Sequence, residues 1–357
     1  MSEIFSDPLS LGKLGTFYIP GVDWRVLEPD TMRLEMAFES AHPAKLPFKT
    51  IVLLREQQIA EQFLAAFQQR YLPEHLFYWL PSSAQAWVEL CRSTEYKNAS
   101  RALEVLTVAV PALSRQLPQI RTLCGLGCGE GSKDRVLLEG FATSSNRLNY
   151  VAADFSQPLL ELAADQVDGI ATSSLGCKLD IFDDSHLSAL IHAAQGIGGG
   201  VLFSVLGNTL GAFGPNTFPQ RLRTYIRNPD RFLFDGEIFS EQTLGGYDNP
   251  TNRRFAWGPL TGVGITEDDG KLEFSVGSAG DGLFAVAKHF TATRDLRVSI
   301  GGQTIEISAG EKLRMSSSIK YASESALFDF VESAQFKIHS QWNSRDGQFV
   351  LACAGPG

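Results

Sequence analysis

A carboxylate and a run of glycines carry the most chemistry in this chain. Glycines 125, 127, 129 and 131 punctuate Arg121-Thr-Leu-Cys-Gly-Leu-Gly-Cys-Gly-Glu-Gly-Ser-Lys133, and Asp154 closes the next apolar stretch, Asn149-Tyr-Val-Ala-Ala-Asp154, 25 residues after Gly129. Glycine permits φ > 0 and close approach of backbone to a ligand, and a helix starting where the run ends offers unpaired N–H groups. A carboxylate at the tip of the following strand can accept both hydroxyls of a ribose. Together these residues predict a site for a nucleoside-bearing cofactor. A dinucleotide fingerprint would read G-x-G-x-x-G, but Glu130 and Ser132 occupy the third glycine position in the two possible frames. The pattern is G-x-G-x-G, and it implies no pyrophosphate cradle.

The elements that must position these residues follow from periodicity. A strand is expected at 121–126, a helix through Lys133-Asp-Arg-Val-Leu-Leu-Glu-Gly, a strand at 149–154 and a helix across Pro158-Leu-Leu-Glu-Leu-Ala-Ala-Asp. A strand near Cys177–Phe182, a helix at His186–Ala194 and the apolar strand Gly200-Val-Leu-Phe-Ser-Val-Leu206 continue the alternation. Alternation of this kind predicts an α/β fold with a parallel sheet covered on both faces by helices. Ligands of such sheets sit beyond the carboxyl ends of the strands, so Gly127, Asp154, Asp180 and Asn208 should face one crevice.

Upstream, two helices between Ala84 and Leu117 flank the polar turn Glu95-Tyr-Lys-Asn-Ala-Ser-Arg101, and a strand at Thr50-Ile-Val-Leu-Leu precedes a helix from Gln57 to Tyr71. Prolines 20, 29, 43 and 47 mark the N-terminal stretch. Downstream, the strand Arg231-Phe-Leu-Phe-Asp-Gly-Glu-Ile-Phe leads into strand-like runs at 271–276, 296–300 and 304–307, then a helix at Ser323–Ala334. The hairpin signal Asp346-Gly347 joins Phe336-Lys-Ile-His-Ser-Gln-Trp to Gln348-Phe-Val-Leu-Ala-Cys. The domain reading is an N-terminal extension at 1–75, a cofactor-binding domain at 76–240 and 316–357, and an inserted substrate-binding or lid segment at 241–315.

Composition narrows the function. At 357 residues the chain exceeds one α/β domain of roughly 200 residues, which leaves room for added elements. A net charge of −9 with scattered Lys and Arg gives no footprint for nucleic acid, and no apolar run approaches the length of a membrane span. A small-molecule substrate fits better. The start Met1-Ser-Glu-Ile-Phe-Ser has no signal-peptide character, so a cytoplasmic protein is expected. Cysteines 91, 124, 128, 177 and 353 form no C-x-x-C pair and are read as reduced; histidines 42, 75, 186, 192, 289 and 339 show no metal-ligand spacing.

The G-x-G-x-G loop resembles the first motif of class I S-adenosylmethionine-dependent methyltransferases. Further blocks are similar to one family: the histidine-specific methyltransferases of ergothioneine biosynthesis and their relatives that N-methylate a prenylated tryptophan. These blocks, spread over residues 75–355, are Phe77-Tyr78, Trp87 with Thr94-Glu-Tyr96, Leu126-Gly-Cys-Gly with Lys133-Asp-Arg135, Tyr150-Val-Ala-Ala-Asp154, Leu206-Gly-Asn208, Gly246-Tyr-Asp-Asn249, Lys312-Leu-Arg-Met-Ser-Ser-Ser-Ile-Lys-Tyr321 and Trp342 with Gly347-Gln-Phe-Val. The resemblance implies a Rossmann-like class I fold with an antiparallel C-terminal hairpin and a smaller α+β substrate-binding part. It implies S-adenosylmethionine held by Gly127, Gly129, Lys133, Asp154, Asp180 and Ile181, with Tyr78 near it. Asp154 would take the ribose hydroxyls and Asp180 the adenine amino group. Asn208 and Tyr247 match the positions that grip a substrate α-carboxylate, and Trp87, Tyr96, Phe274, Ser316 and Ser318 match the lining of the side-chain pocket.

The departures bear on the substrate. Where members acting on histidine have Thr-Glu-Ile-Ser, this chain has Met315-Ser-Ser-Ser318, so Ser316 replaces the carboxylate that would hold an imidazole N–H. Phe274 stands for a methionine, Trp87 for a phenylalanine, and Lys97-Asn-Ala-Ser100 for the family's Pro-Thr-Arg turn; Tyr78 aligns only with a one-residue insertion. A pocket of this composition should be less polar, more aromatic and not selective for histidine. The expected chemistry is methyl transfer to the α-amine of an amino acid or its derivative, driven by positioning a neutral amine, with no residue required as general base. A methyltransferase scaffold that only binds, as a partner subunit, and an O- or C-methyltransferase of an aromatic small molecule stay open at this level.

Overall fold

The computed structural model describes residues 48–212 and 217–357. Its elements run β1 Lys49–Val52, α1 Glu56–Gln68, β2 Tyr71–Leu72, α2 Pro81–Arg92, α3 Asn98–Gln116, β3 Ile120–Leu126, α4 Ser132–Thr143, β4 Asn149–Asp154 and α5 Gln157–Val167. They continue as β5 Ser174–Lys178, α6 Asp184–Gly196, β6 Gly200–Val205, α7 Phe218–Arg223, β7 Arg231–Glu237, α8 Thr243–Tyr247 and α9 Pro250–Thr261. The last third is β8 Gly270–Gly280, β9 Leu283–Ala292, β10 Leu296–Ile300, β11 Gln303–Ile307, β12 Lys312–Tyr321, α10 Glu324–Glu332, β13 Phe336–Asn343 and β14 Phe349–Pro356.

Strands β3, β4 and β6 are buried almost throughout, as parallel strands covered on both faces must be. They lie at the centre of an eight-stranded sheet ordered β1-β5-β4-β3-β6-β7-β14-β13, parallel from β1 to β7 and closed by the antiparallel pair β14 and β13. Alternate residues separate two cores. Cys124, Val151 and Phe203 pack with α6, α7 and α10 on one face, while Leu123, Tyr150 and Leu202 pack with α3, α4 and α5 on the other.

A second sheet, ordered β2-β12-β9-β8, packs with α1 and α9, burying Phe63, Phe67, Phe77, Phe255 and Phe290; the β10–β11 hairpin adds Val298 and Ile305 to this core. β12 connects the two sheets, pairing with β2 and β9 and bridging through Tyr321 to Ile238 just beyond β7.

One strand stops short of its expected end. The strand expected near 177–182 ends at Lys178, because the Asp180 carboxylate takes the Phe182 N–H and Asp183 caps α6 through the Ser185 and His186 N–H groups, turning the chain. The division at 75/76 falls within a 3₁₀ turn, Glu74–Tyr78, and β1 already belongs to the large sheet beside β5. The division at 315/316 falls within β12, which pairs along its length. The prolines at 20, 29, 43 and 47 lie outside the described residues.

Candidate active site

One cleft, enclosing about 1060 Å³ with its open mouth, runs above the carboxyl ends of β3, β4, β5 and β6 and under the second sheet. Of the sequence-predicted residues, Tyr78, Trp87, Tyr96, Gly127, Gly129, Lys133, Asp154, Asp180, Ile181, Asn208, Tyr247 and Ser318 line it.

The loop after β3 turns because the Gly127 and Cys128 N–H groups both donate to the Ala153 carbonyl, with φ of 72° at Gly127 and 57° at Gly129. Both glycines present bare backbone to the cleft. A Cβ at Gly127 would meet Thr209 Cγ2 at 3.1 Å, and one at Gly129 would stand 4.0 Å from Trp87 Nε1. Gly125 serves a different purpose: a Cβ there would collide with the Asp134 carboxylate at 2.4 Å, so this glycine makes room for a buried side chain.

Asp154 accepts the Gly129 N–H through Oδ2 and the Ser156 N–H through Oδ1, each at 2.9 Å. Burial nevertheless pushes its carboxyl up to about 6, against the lowering effect of those donors. Asp180 accepts from Phe182 N at 2.9 Å and Gln62 Nε2 at 3.2 Å. At the same end His75 lies with its ring centroid 5.1 Å from that of Phe155 and 5.2 Å from that of Phe182, its buried Nδ1 unpartnered. Burial would lower the Lys133 ammonium, but Glu130, Asp134 and Asp235 around it prevail and hold it above the ordinary lysine value.

After β6, Asn208 adopts φ of 60°, held by Asp235, whose carboxylate accepts the Gly207 and Asn208 N–H groups at 2.7 Å each. Asn208 Oδ1 accepts the Glu237 N–H at 3.0 Å, and Nδ2 donates to Ser318 Oγ at 3.1 Å. Tyr247 Oη donates to Glu237 Oε2 at 2.8 Å and accepts from Asn98 Nδ2 at 2.9 Å. Lys320 lies 3.1 Å from the same Glu237 oxygen and donates to Ser318 Oγ at 2.9 Å. The two residues expected to grip a carboxylate are thus the visible tips of a buried ionic network. Burial keeps the Tyr78, Tyr96 and Tyr247 phenols well above their usual range, so all three line the cleft in neutral form.

Aromatic rings form the rest of the wall. Tyr78 meets Trp87 edge-on with centroids 5.3 Å apart, Trp87 meets Tyr96 at 5.8 Å, and Tyr96 meets Tyr247 at 5.6 Å.

Phe274 and Ser316 lie beside the cleft and not on its wall. Phe274 pairs across β8–β9 with Lys288, and it is Lys288 that reaches the cleft, while the Arg253 guanidinium covers the Phe274 ring at 5.4 Å. Ser316 sits in a bulge between Arg314 and Ser317 with φ of 77°, its buried hydroxyl unpartnered. The family resemblance implied a place on the pocket wall, and the bulge turns the residue away from it.

The cleft also contains titratable residues that the sequence reading passed over: Glu74, His75 and Lys288. Lys288 had a signal, since it stands in phase with the buried Val286 and Phe290 of β9. No cluster of His, Cys, Asp and Glu suited to a metal ion occurs among the described residues.

Sheet order, the two bare glycines and a strand-tip carboxylate define a class I methyltransferase, and the cleft fits its cofactor: a side chain at Gly127 or Gly129 would intrude on the cradle, and the orphaned His75 nitrogen awaits a polar partner. The chain belongs to the family of histidine-specific, S-adenosylmethionine-dependent methyltransferases, whose profile matches residues 55–236 and 284–356. It is similar to N-methyltransferase dtpB of Aspergillus flavus, 23% identical over an alignment of 324 positions that covers 82% of this chain and 87% of the relative. N-methyltransferase fsqC of Aspergillus fumigatus is 22% identical over 291 residues, 79% of each chain. Among solved structures, an S-adenosylmethionine-dependent methyltransferase from Clostridium acetobutylicum matches with a TM-score of 0.35 and 12% identity, over 73% of this chain and 92% of that one. A likeness at that level adds nothing to the sheet order described above.

Proposed function

We propose that this S-adenosylmethionine-dependent enzyme is an N-methyltransferase for the α-amine of an amino acid or amino-acid-derived small molecule other than histidine. The observation that carries the reading is the continuity of one cleft from the cofactor residues Gly129, Asp154 and Asp180 to the aromatic wall of Tyr78, Trp87, Tyr96 and Tyr247. Both curated relatives are named N-methyltransferases, which agrees with nitrogen as the acceptor atom.

In this reading Asp154 accepts the ribose hydroxyls, Asp180 the adenine amino group with Ile181 against the ring, and Lys133 and Tyr78 lie along the remainder. The bound cofactor supplies a methyl group already activated by a sulfonium. The protein's task is to hold a neutral amine about 3 Å from that carbon, in line with the departing sulfur. Trp87 and Tyr96 form the walls that fix this approach. Asn208, Tyr247 and Ser318 would hold a substrate carboxylate by exchanging their present hydrogen bonds within the Glu237 network for bonds to it. Asn208 and Tyr247 are accordingly the residues on which turnover should most depend. The aromatic wall of Tyr78, Trp87, Tyr96 and Tyr247 supports an acceptor other than histidine.

The partner is therefore a small-molecule amine and not a nucleic acid or a membrane. No helix among the described residues is long and apolar enough to cross a bilayer. Five free cysteines, four of them buried, suit a reducing compartment such as the cytoplasm. The test is calorimetric titration with S-adenosylhomocysteine, followed by incubation of enzyme and S-adenosylmethionine with a panel of amino acids and blocked derivatives. Mass gain of one methylene on free α-amines, absent from N-blocked forms, is expected. Methylation of N-blocked but not free substrates would refute the reading.

A further inference from the structure

Three carboxylates stand on the wall of the cleft: Asp154, Asp180 and Glu74. The first two are engaged through both oxygens, Asp154 by backbone N–H groups and Asp180 by Phe182 N and Gln62 Nε2. Glu74 differs. Its Oε1 lies 3.4 Å from Tyr78 Oη and 3.8 Å from Lys288 Nζ, both long contacts, while Oε2 is shielded from solvent without a hydrogen-bond partner. A buried carboxylate oxygen left unmatched is costly unless something completes it.

Its location indicates what does so. Glu74 begins the same 3₁₀ turn that carries Tyr78, whose ring abuts Trp87, whose indole in turn lies against Gly129 of the cofactor loop. Lys288, itself only 4% exposed, rests on the faces of Phe77 and Phe255 at 5.0 and 5.4 Å and stands 3.8 Å from Glu74 Oε1. Glu74 lines the cleft among these rings beside the cofactor loop, and a small turn of its carboxyl group would present Oε2 to an amine held there.

From this we infer that Glu74 is the group that receives the substrate amine: its free oxygen accepts an amine N–H, which aims the nitrogen lone pair at the methyl carbon. The inference rests on the N-methyltransferase reading above and assigns that reading its amine-binding residue. As the N–C bond forms and the C–S electron pair returns to sulfur, positive charge passes from sulfur to nitrogen. A fixed carboxylate at the nitrogen stabilises that charge where it develops. The product ammonium then loses its proton to water.

A test needs no knowledge of the acceptor. Sinefungin is a cofactor analogue with a carbon-bound ammonium in place of the sulfonium methyl; S-adenosylhomocysteine is neutral at that point. Both are titrated calorimetrically into the full-length wild type and into Glu74→Gln, with melting temperatures measured alongside. Glu74→Gln should bind S-adenosylhomocysteine within about threefold of wild type and sinefungin about tenfold or more weakly, the size of one charge-assisted hydrogen bond. Glu74→Asp, which withdraws the carboxylate by one methylene, should fall between, and it replaces the Gln variant if that one fails to fold. Equal sinefungin binding by wild type and variant overturns the inference, as does parallel loss of both ligands, which would place Glu74 at the cofactor's common portion. If wild type binds neither ligand, the cofactor reading itself fails and this inference falls with it.

Discussion

The cofactor side of the cleft is built from backbone and the acceptor side from buried charge. In the proposed cofactor site, Gly127 and Gly129 offer bare main chain, and the strand-tip carboxylate Asp154 is kept in place by two N–H donors while burial disfavours its charged form. Opposite, Glu237 gathers Lys320, Asn98 and Tyr247 within 3.1 Å, and Lys320 is completely buried. The first arrangement is one that a ligand completes. The second is already complete, and fold stability should depend on it. The family profile lapses between residues 237 and 283, the stretch that supplies Glu237, Tyr247 and Phe255. The rest of that network, Asn98, Asn208, Ser318 and Lys320, lies within the matched residues.

The largest expected effect breaks the acceptor side. Glu237→Leu leaves Lys320 buried without its counterion and should cost about 3–5 kcal/mol in chemical denaturation. Adding Lys320→Met should return more than half of that, because neither charge is then left alone. A loss below about 1 kcal/mol in the single variant would mean that the network is ornamental and that the two walls do not differ as described.

A smaller effect, on the cofactor side, appears in binding and carries a pH signature. The Asp154 carboxyl titrates in the folded protein near 6, above its unfolded value of about 3.8. Between those two values the folded protein holds more protons than the unfolded chain, so this group's contribution to stability is present at low pH and lost as pH rises through about 6. The ribose contact proposed for Asp154 requires the ionised form. Affinity for S-adenosylhomocysteine should therefore fall about tenfold per pH unit below about 6. Asp154→Asn should weaken binding at pH 7 and flatten the pH curve; because Asn keeps one acceptor where Asp154 takes two N–H groups, the ligand-free protein should lose about 1–3 kcal/mol, less than in Glu237→Leu. If the Asn variant keeps the slope, the proton belongs to Asp134 or Asp235, both also shifted upward by burial.

The same division explains what could be read from the chain before folding. Gly127, Gly129, Asp154 and Asp180 lie in or at the ends of strands whose periodicity is local, so their convergence followed from alternation of strands and helices. Asn208 followed for the same reason. Glu74, Lys288 and Glu237 meet only through pairings across long separations: a 3₁₀ turn, an added sheet and the last parallel strand. Lys288 could have been singled out by its phase in β9. Ser316 could not be placed, because the bulge that removes it from the wall leaves no mark in Met315-Ser-Ser-Ser318 that differs from a regular strand. β1 was visible as an apolar run, but its parallel place beside β5 depends on tertiary packing.

Phe274 provides the smallest test and a sharp one, because the family resemblance and the structure predict different results. As a pocket residue, its replacement by methionine should change acceptor preference by an order of magnitude or more. In the fold its ring lies under Arg253, whose side chain is 41% exposed, with Lys288 between it and the cleft. Phe274→Met then removes one partly solvated cation–π contact and exchanges one apolar side chain for another of similar bulk, at a cost below about 1.5 kcal/mol. The ratio of kcat/KM for histidine to that for an aromatic amino acid should stay within about twofold of wild type, a shift of under about 0.5 kcal/mol. A tenfold change in that ratio would put Phe274 on the pocket wall. Lys288 would then be displaced from the cleft, and the acceptor side would be apolar where it now carries charge.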